Sequence, residues 1–344
     1  MLEVKVKNNS IQMGKHFSVN FQRTLRIPDD GKTYPLPPGL GNFPVCKIDD
    51  YADRVPSSWK QHGGVFIPMF QREALWLSFN GVAWRPSVVK VAVGKINAVT
   101  GKPWNQKLDG VEQDYLVCPD QPWLDGINAG DGYIRQFIAM PLGMGYTVEG
   151  QVSGKEEFGG VQIIVFEPKP GKFPEQPPQP VAMRGGSFGA TKGFSYGMEA
   201  ELSLDDEAFR GGEMGLAAGG KMKQKIYPDK YGVETWDETN FGRVYVHIVN
   251  SMMYREITGK EAPPTPVTAK TYTHHGFPWF DLYDEHKGDV VKGNTLSQVK
   301  SVKEMDKEKG FAPQQDDSSV EVSDEQVKKL KLKSDPNAVR DGDW

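Results

Sequence analysis

Apolar and polar residues alternate with period two over much of this chain, and that alternation predicts strands. Leu2, Val4 and Val6 alternate with Glu3, Lys5 and Lys7 until Asn8-Asn9-Ser10 ends the run. Phe17, Val19 and Phe21 repeat the pattern, followed by Leu25 and Ile27. Pro28-Asp29-Asp30-Gly31 then turns the chain: Pro presets φ, Asp bonds nearby backbone, and Gly takes positive φ. The expected opening is an antiparallel meander.

Tyr34 to Pro44 is proline-rich and extended, either a crossover that covers a sheet edge or a docking ligand for an aromatic groove. Asp53 to Gln61 predicts a short helix with Ser57 or Ser58 near its start. Val89, Val91 and Val93 share one strand face, with Lys90 and Lys95 among the polar positions. Phe66, Met69, Phe70, Leu75, Trp76, Leu77 and Phe79 are core candidates. Tyr133, Arg135 and Phe137 face one way on a further strand, and Ile134, Gln136 and Ile138 the other. Tyr146 to Val152 also alternates, and Val161 to Phe166 reads as a buried strand.

Beyond that point the pattern weakens. Glu167 to Pro180, EPKPGKFPEQPPQP, has linker composition and marks a boundary. Met183 to Gly220 is glycine-rich and weakly patterned, Glu199 to Phe209 suits a strand or a short helix, and Arg243 to Val249 is a strong strand. After His286 polar residues dominate, so the tail is expected to be disordered or draped, with a helical piece near Ser323–Leu332. The predicted organisation is a β-sandwich-like body over residues 1–166, a linker over 167–182, a second β part over 183–285, and a polar tail over 286–344. The second part either packs on the first or stands apart.

Composition supports a mainly β, antiparallel sandwich or jelly-roll-like fold with few helices. Glycine (38) and proline (25) make up about 18% of the 344 residues, against roughly 12% on average. Both residues disfavour long helices. Net charge is −4 with mixed signs, so no basic surplus exists to drive phosphate-backbone binding, and nucleic acid is not the expected partner. Cys46 and Cys118 read as reduced thiols. No apolar signal core and no long apolar run occurs, which gives the expectation of a soluble cytoplasmic protein without a transmembrane helix.

Candidate chemistry centres on Asp125-Gly-Ile-Asn128-Ala-Gly-Asp131-Gly132. Oxygen ligands from Asp125, Asn128 and Asp131 in a glycine-rich loop suit a hard cation such as Ca²⁺. The EF-hand spacing fails there, and two Asx-type turns explain the same residues. Gly211 to Lys225 resembles a phosphate-cradling loop, but Met222 stands where the hydroxyl residue belongs, so a contacting loop is expected instead. His274 and His275 are adjacent, an arrangement that opposes joint metal binding on a strand, and a surface loop anchored by Phe277, Trp279 and Phe280 is the competing reading. His247 in an apolar strand reads as a core histidine. Paired carboxylates for glycoside chemistry are not marked by spacing; Glu149, Glu156, Glu157 and Glu199 are all possible.

Three segments, Tyr34–Val45, Pro122–Gly143 and Pro263–Asp284, resemble a family of uncharacterised bacterial proteins, some of whose members are labelled as membrane proteins. The resemblance runs from the N-terminus to about residue 284 and implies no activity, cofactor or site residue. Two functional expectations stand. The first is a non-enzymatic binding or structural protein that self-associates or takes a protein partner, with no cofactor. The second is a hydrolase or lyase acting on a polar substrate such as a carbohydrate, with Asp125, Asp131 and Arg135 as catalytic candidates.

Overall fold

A computed structural model of the chain describes residues 1–177, 212–264, 267–281, 288–290, 295–312, 314 and 317–329. The expectation for 199–209 and most of the glycine-rich run from Met183 lie outside them. Strands dominate. The first eight are β1 (Val4–Lys7), β2 (Ser10–Met13), β3 (Phe17–Thr24), β4 (Thr33–Tyr34), β5 (Gly39–Asn42), β6 (Cys46–Lys47), β7 (Val65–Pro68) and β8 (Ala74–Asn80). The middle of the chain supplies β9 (Ser87–Val93), β10 (Ile96–Asn97), β11 (Leu116–Cys118), β12 (Trp123–Leu124), β13 (Gly126–Gly130), β14 (Tyr133–Pro141) and β15 (Val161–Pro168). Then come β16 (Glu213–Lys223), β17 (Trp236–Val249), β18 (Trp279–Asp281) and β19 (Val327–Lys329). Among the described residues five short α-helices cap and cover them: α1 (Ser57–His62), α2 (Val148–Ser153), α3 (Ser251–Thr258), α4 (Ala269–His274) and α5 (Val302–Glu308).

The pairing gives two faces to one continuous, mainly antiparallel sheet. On one side β1, β2, β3, β8, β14 and β16 run as successive neighbours. On the other, β9 lies between β11 and β15, β15 pairs with β17, and β7 joins β17 in parallel. The two meet where Glu213 and Met214 pair with Val249 and Ile248. Alternate side chains from both halves fill one core: Val19, Phe21, Leu75 and Leu77 from the first side, and Val89, Val91, Ile163 and Val246 from the second. Period-two alternation is the cause, because every second residue of a strand points to the same face.

The strands after the proline-rich segment therefore belong to the same body as those before it. β16 is inserted beside β14, and β17 beside β15. The contacting loop expected at Gly211–Lys225 is thus a strand, and its glycines answer to crowding. A Cβ on Gly220 would meet the Pro28 carbonyl oxygen at 2.4 Å, and one on Gly219 would meet Ile138 Cγ1 at 2.6 Å. The alternation at Tyr146–Val152 is also overridden. The Thr147 side chain accepts from the Gly150 N–H at the start of α2, and Gly154 in the left-handed region closes it.

The outer faces are unequally covered. Residues 295–312 lie over Ala74, Ile138 and Ala217 through Val302 and Met305. Two ion pairs pin that side: Arg72 donates two bonds of 2.8 Å to Asp306, and Arg26 meets Asp317 at 2.5 Å. On the opposite face Lys90 is fully buried rather than solvent-facing. Its Nζ donates to Asp114 Oδ2 at 2.6 Å, Asn105 Oδ1 at 2.9 Å and the Lys107 carbonyl at 2.6 Å, which accounts for all three ammonium hydrogens. The expected helix at Asp53–Gln61 is α1, which starts at Ser57 and packs Trp59 against Phe66. Of the expected Ser323–Leu332 helical piece, the described residues 323–329 form a 3₁₀ turn, Asp324–Gln326, followed by β19; the rest lies outside the described residues.

Candidate functional site

The residues nominated from the sequence do not converge. Asp125 lies between β12 and β13, with 4% of its surface exposed, and its carboxylate accepts from Gln224 Nε2 at 2.8 Å and from the Trp123 indole N–H. Burial outweighs those two bonds and pushes its pKa up to about 7. Asn128 is buried on β13; its Oδ1 accepts from the Gly130 N–H at 2.8 Å, an Asx-type turn, and its Nδ2 donates to the Val99 carbonyl at 3.1 Å. Asp131 is exposed at the β13–β14 turn with φ +56°. At about 3.4 Å per residue, the six-residue span from Asp125 to Asp131 amounts to about 20 Å. Arg135 points to Glu304, 3.4 Å away. Among the described residues no group of three or more His, Cys, Asp or Glu side chains is placed to hold a metal ion.

The histidines divide as their surroundings dictate. His247 is stacked between Trp59 and Tyr245, with centroids 4.3 Å from each, and burial lowers its pKa to about 3. That makes it a neutral core residue. His274 and His275 are exposed at the end of α4, not on a strand.

A different surface carries the features of a binding site. Val19 and Phe21 of β3 point into the core, so Ser18, Asn20 and Gln22 point outward. Leu75, Leu77 and Phe79 of β8 do the same, so Trp76, Ser78 and Asn80 share the outer face. The register sets these residues side by side: Ser18 opposite Asn80, Asn20 opposite Ser78, and Gln22 opposite Trp76. β2 adds Ser10 opposite Asn20 and Gln12 opposite Ser18, and β12 places Trp123 opposite Ser78. None of these outward positions is ionisable.

Local contacts order the face. Gln22 Nε2 donates to Asn20 Oδ1 at 2.7 Å and also to Asn42 Oδ1. Trp76 and Trp123 meet edge to face with centroids 6.2 Å apart, and both are half-buried. Asp125, two residues along from Trp123, lies close enough for the indole to favour its charged form.

At its β2 end the face deepens into a cleft of about 380 Å³. Ser10, Gln12, Phe17 and Ser18 line it together with Asn80, Gly81 and Val82. Two turns flank it. Asn8 and Asn9, with φ +50° and +58°, form the two-residue β1–β2 turn, and Lys15 with His16 occupies the β2–β3 turn. The His16 ring sits edge-on to Trp84 with centroids 5.0 Å apart.

Amides and hydroxyls supply paired donors and acceptors at sheet spacing, and the two indoles supply flat apolar surface. No aspartate or glutamate lines the cleft, so the general acid and base that glycoside hydrolysis needs are missing from its lining. Sequence reasoning passed over these residues by placing Trp76 in the core. The available signal was the interleaving in FSVNFQ and ALWLSFN, where the positions between the core residues carry uncharged polar side chains or, at Trp76, an indole. Compared with known proteins, the chain matches no family model, no curated protein and no solved structure.

Proposed function

We propose that this is a non-enzymatic binding protein whose outer β2–β3–β8 face takes a carbohydrate. One observation carries the reading: a contiguous sheet face built from Ser, Asn and Gln, without an ionisable side chain, ends against the Trp76–Trp123 pair. A sugar ring presents hydroxyls at its rim and C–H groups on its faces. The amides of Asn20 and Gln22 match the first and the indoles match the second. The side chains are prepositioned by Gln22–Asn20 bonding and by the edge contact of Trp76 with Trp123, which lowers the ordering cost of binding. Against the catalytic alternative, Asp125 is buried and bonded to Gln224, and Asp131 stands at the far end of β13.

The test is a screen of oligosaccharides by glycan array, followed by titration calorimetry on the hits. Saturable binding is expected, weakened about tenfold or more by Asn20→Ala, which strips a buried hydrogen-bonding amide from the floor of the face. Absence of binding across the array, or hits indifferent to Asn20→Ala and Trp123→Ala, overturns the reading.

A further inference from the structure

The cleft at the end of this face differs from the rest of it in charge. Lys7, Lys15 and His16 stand around the cleft, and no carboxylate lines it. Lys7 is on the same face as the polar strip, directly opposite Ser10 on β2. Lys15 approaches from the neighbouring turn. Several lysines elsewhere on this acidic chain have a carboxylate partner: Lys5 has Glu3, Lys47 has Asp50, Lys90 has Asp114, Lys102 has Asp109 and Glu112, Lys155 has Glu157, Lys230 has Asp120, and Lys300 has Glu308. Among the described residues Lys7 and Lys15 have no ion-pair partner. Glu167 approaches the β2–β3 turn with Oε1 at Gly14, while its Oε2 faces Arg85 at 3.8 Å, and its carboxylate makes no ion pair with Lys15.

We infer that the cleft selects an acidic sugar residue, one bearing a carboxylate or a sulfate, with Lys7 and Lys15 on the anion and Ser10, Gln12, Ser18 and Asn80 on the ring hydroxyls. This rests on the carbohydrate reading above and specifies its ligand class. Two uncompensated ammonium groups beside a concave polar floor concentrate a positive potential there, although the chain as a whole carries net charge −4. The neighbouring neutral strip then holds the uncharged part of the same oligosaccharide against Trp76 and Trp123. The anion is bound at the solvent-exposed rim, so its contribution falls with salt, while the hydrogen-bonded and stacked part does not.

The experiment compares three tetrasaccharides of one linkage on the full chain: a neutral hexose, its uronic acid counterpart and its O-sulfated counterpart. Calorimetry is run at low and at physiological salt. Lys7→Gln/Lys15→Gln is the paired variant; both side chains are exposed, so folding is expected to be untouched. The expected result is about tenfold tighter binding of at least one acidic ligand than of the neutral one. The advantage disappears in the double variant and shrinks with salt, while neutral-ligand affinity stays constant. A preference for the uronate over the sulfate, or the reverse, names which anion the cleft fits. Equal affinity for all three ligands, or an acidic preference that survives the double variant, overturns the inference and leaves the carbohydrate reading standing. Absence of binding by every ligand removes both.

Discussion

Replacing Asp125 by Asn should change how stability depends on pH, because this carboxyl is buried and carries a raised pKa. Its pKa rises from 3.8 to about 7, chiefly through burial, against the pull of hydrogen bonds from Trp123 and Gln224. That displacement corresponds to about 4 kcal/mol, an upper bound for a buried group. The folded state therefore holds a proton between about 4 and 7 that the unfolded chain releases. Its stabilising contribution is complete below the unfolded value, diminishes as pH rises through about 7, and is absent above it. Asn resembles the protonated acid in shape and charge but loses one acceptor oxygen, at a cost of about 1 kcal/mol. The variant should accordingly be about 1 kcal/mol less stable than the parent near pH 3 and more stable at pH 8, with the two curves crossing between about pH 4 and 5. Urea unfolding at the two pH values, read by far-UV circular dichroism, measures this. Glu73, also raised to about 7 by burial, contributes in the same direction, and His247, lowered to about 3, in the opposite one. Both are common to the two proteins and cancel in the difference. Parallel pH curves for parent and variant would refute the reasoning.

Three further perturbations follow from the packing. Lys90→Met leaves the Asp114 carboxylate buried without its ammonium partner and should cost about 3–5 kcal/mol in chemical denaturation; a loss below about 1 kcal/mol would contradict the assigned role. Asp306→Ala removes both Arg72 bonds and the 2.7 Å bond from the Tyr146 hydroxyl, and should expose residues 295–312 to limited proteolysis well before the strands; unchanged protection would contradict the pinning. Gly220→Ala drives a methyl group to 2.4 Å from the Pro28 oxygen, so its melting temperature should fall by several degrees, about 1–3 kcal/mol of overpacking, and an unchanged melt would deny the close approach.

How far the sequence could be read depended on whether the deciding contact was local. The alternation in β1, β3, β9, β14 and β15 is a property of each strand alone, and it located them. Gly219 and Gly220 look like loop residues in sequence because their reason lies elsewhere, in Ile138 and Pro28. Lys90 has the appearance of a solvent-facing residue until residues 105–114 fold over it. Tyr146–Val152 alternates, yet the Thr147 cap and Gly154 turn it into α2. The open polar face was hidden for the same reason. Ser18, Asn20 and Gln22 become neighbours of Trp76, Ser78 and Asn80 only through the β3–β8 register, which joins positions more than fifty residues apart. Asp125 was visible as unusual, but its partner Gln224 lies on the far side of the proline-rich segment.

The carbohydrate reading is tested most directly by the indole N–H resonances of the chain's eight tryptophans in a ¹⁵N-labelled sample titrated with an oligosaccharide hit. The account predicts that Trp76 and Trp123, assigned by substitution to Phe, shift progressively to saturation, while buried Trp59, Trp236 and Trp279 hold their positions. Shifts confined to other tryptophans, or no shift at saturating ligand, would place the ligand off this face and contradict it.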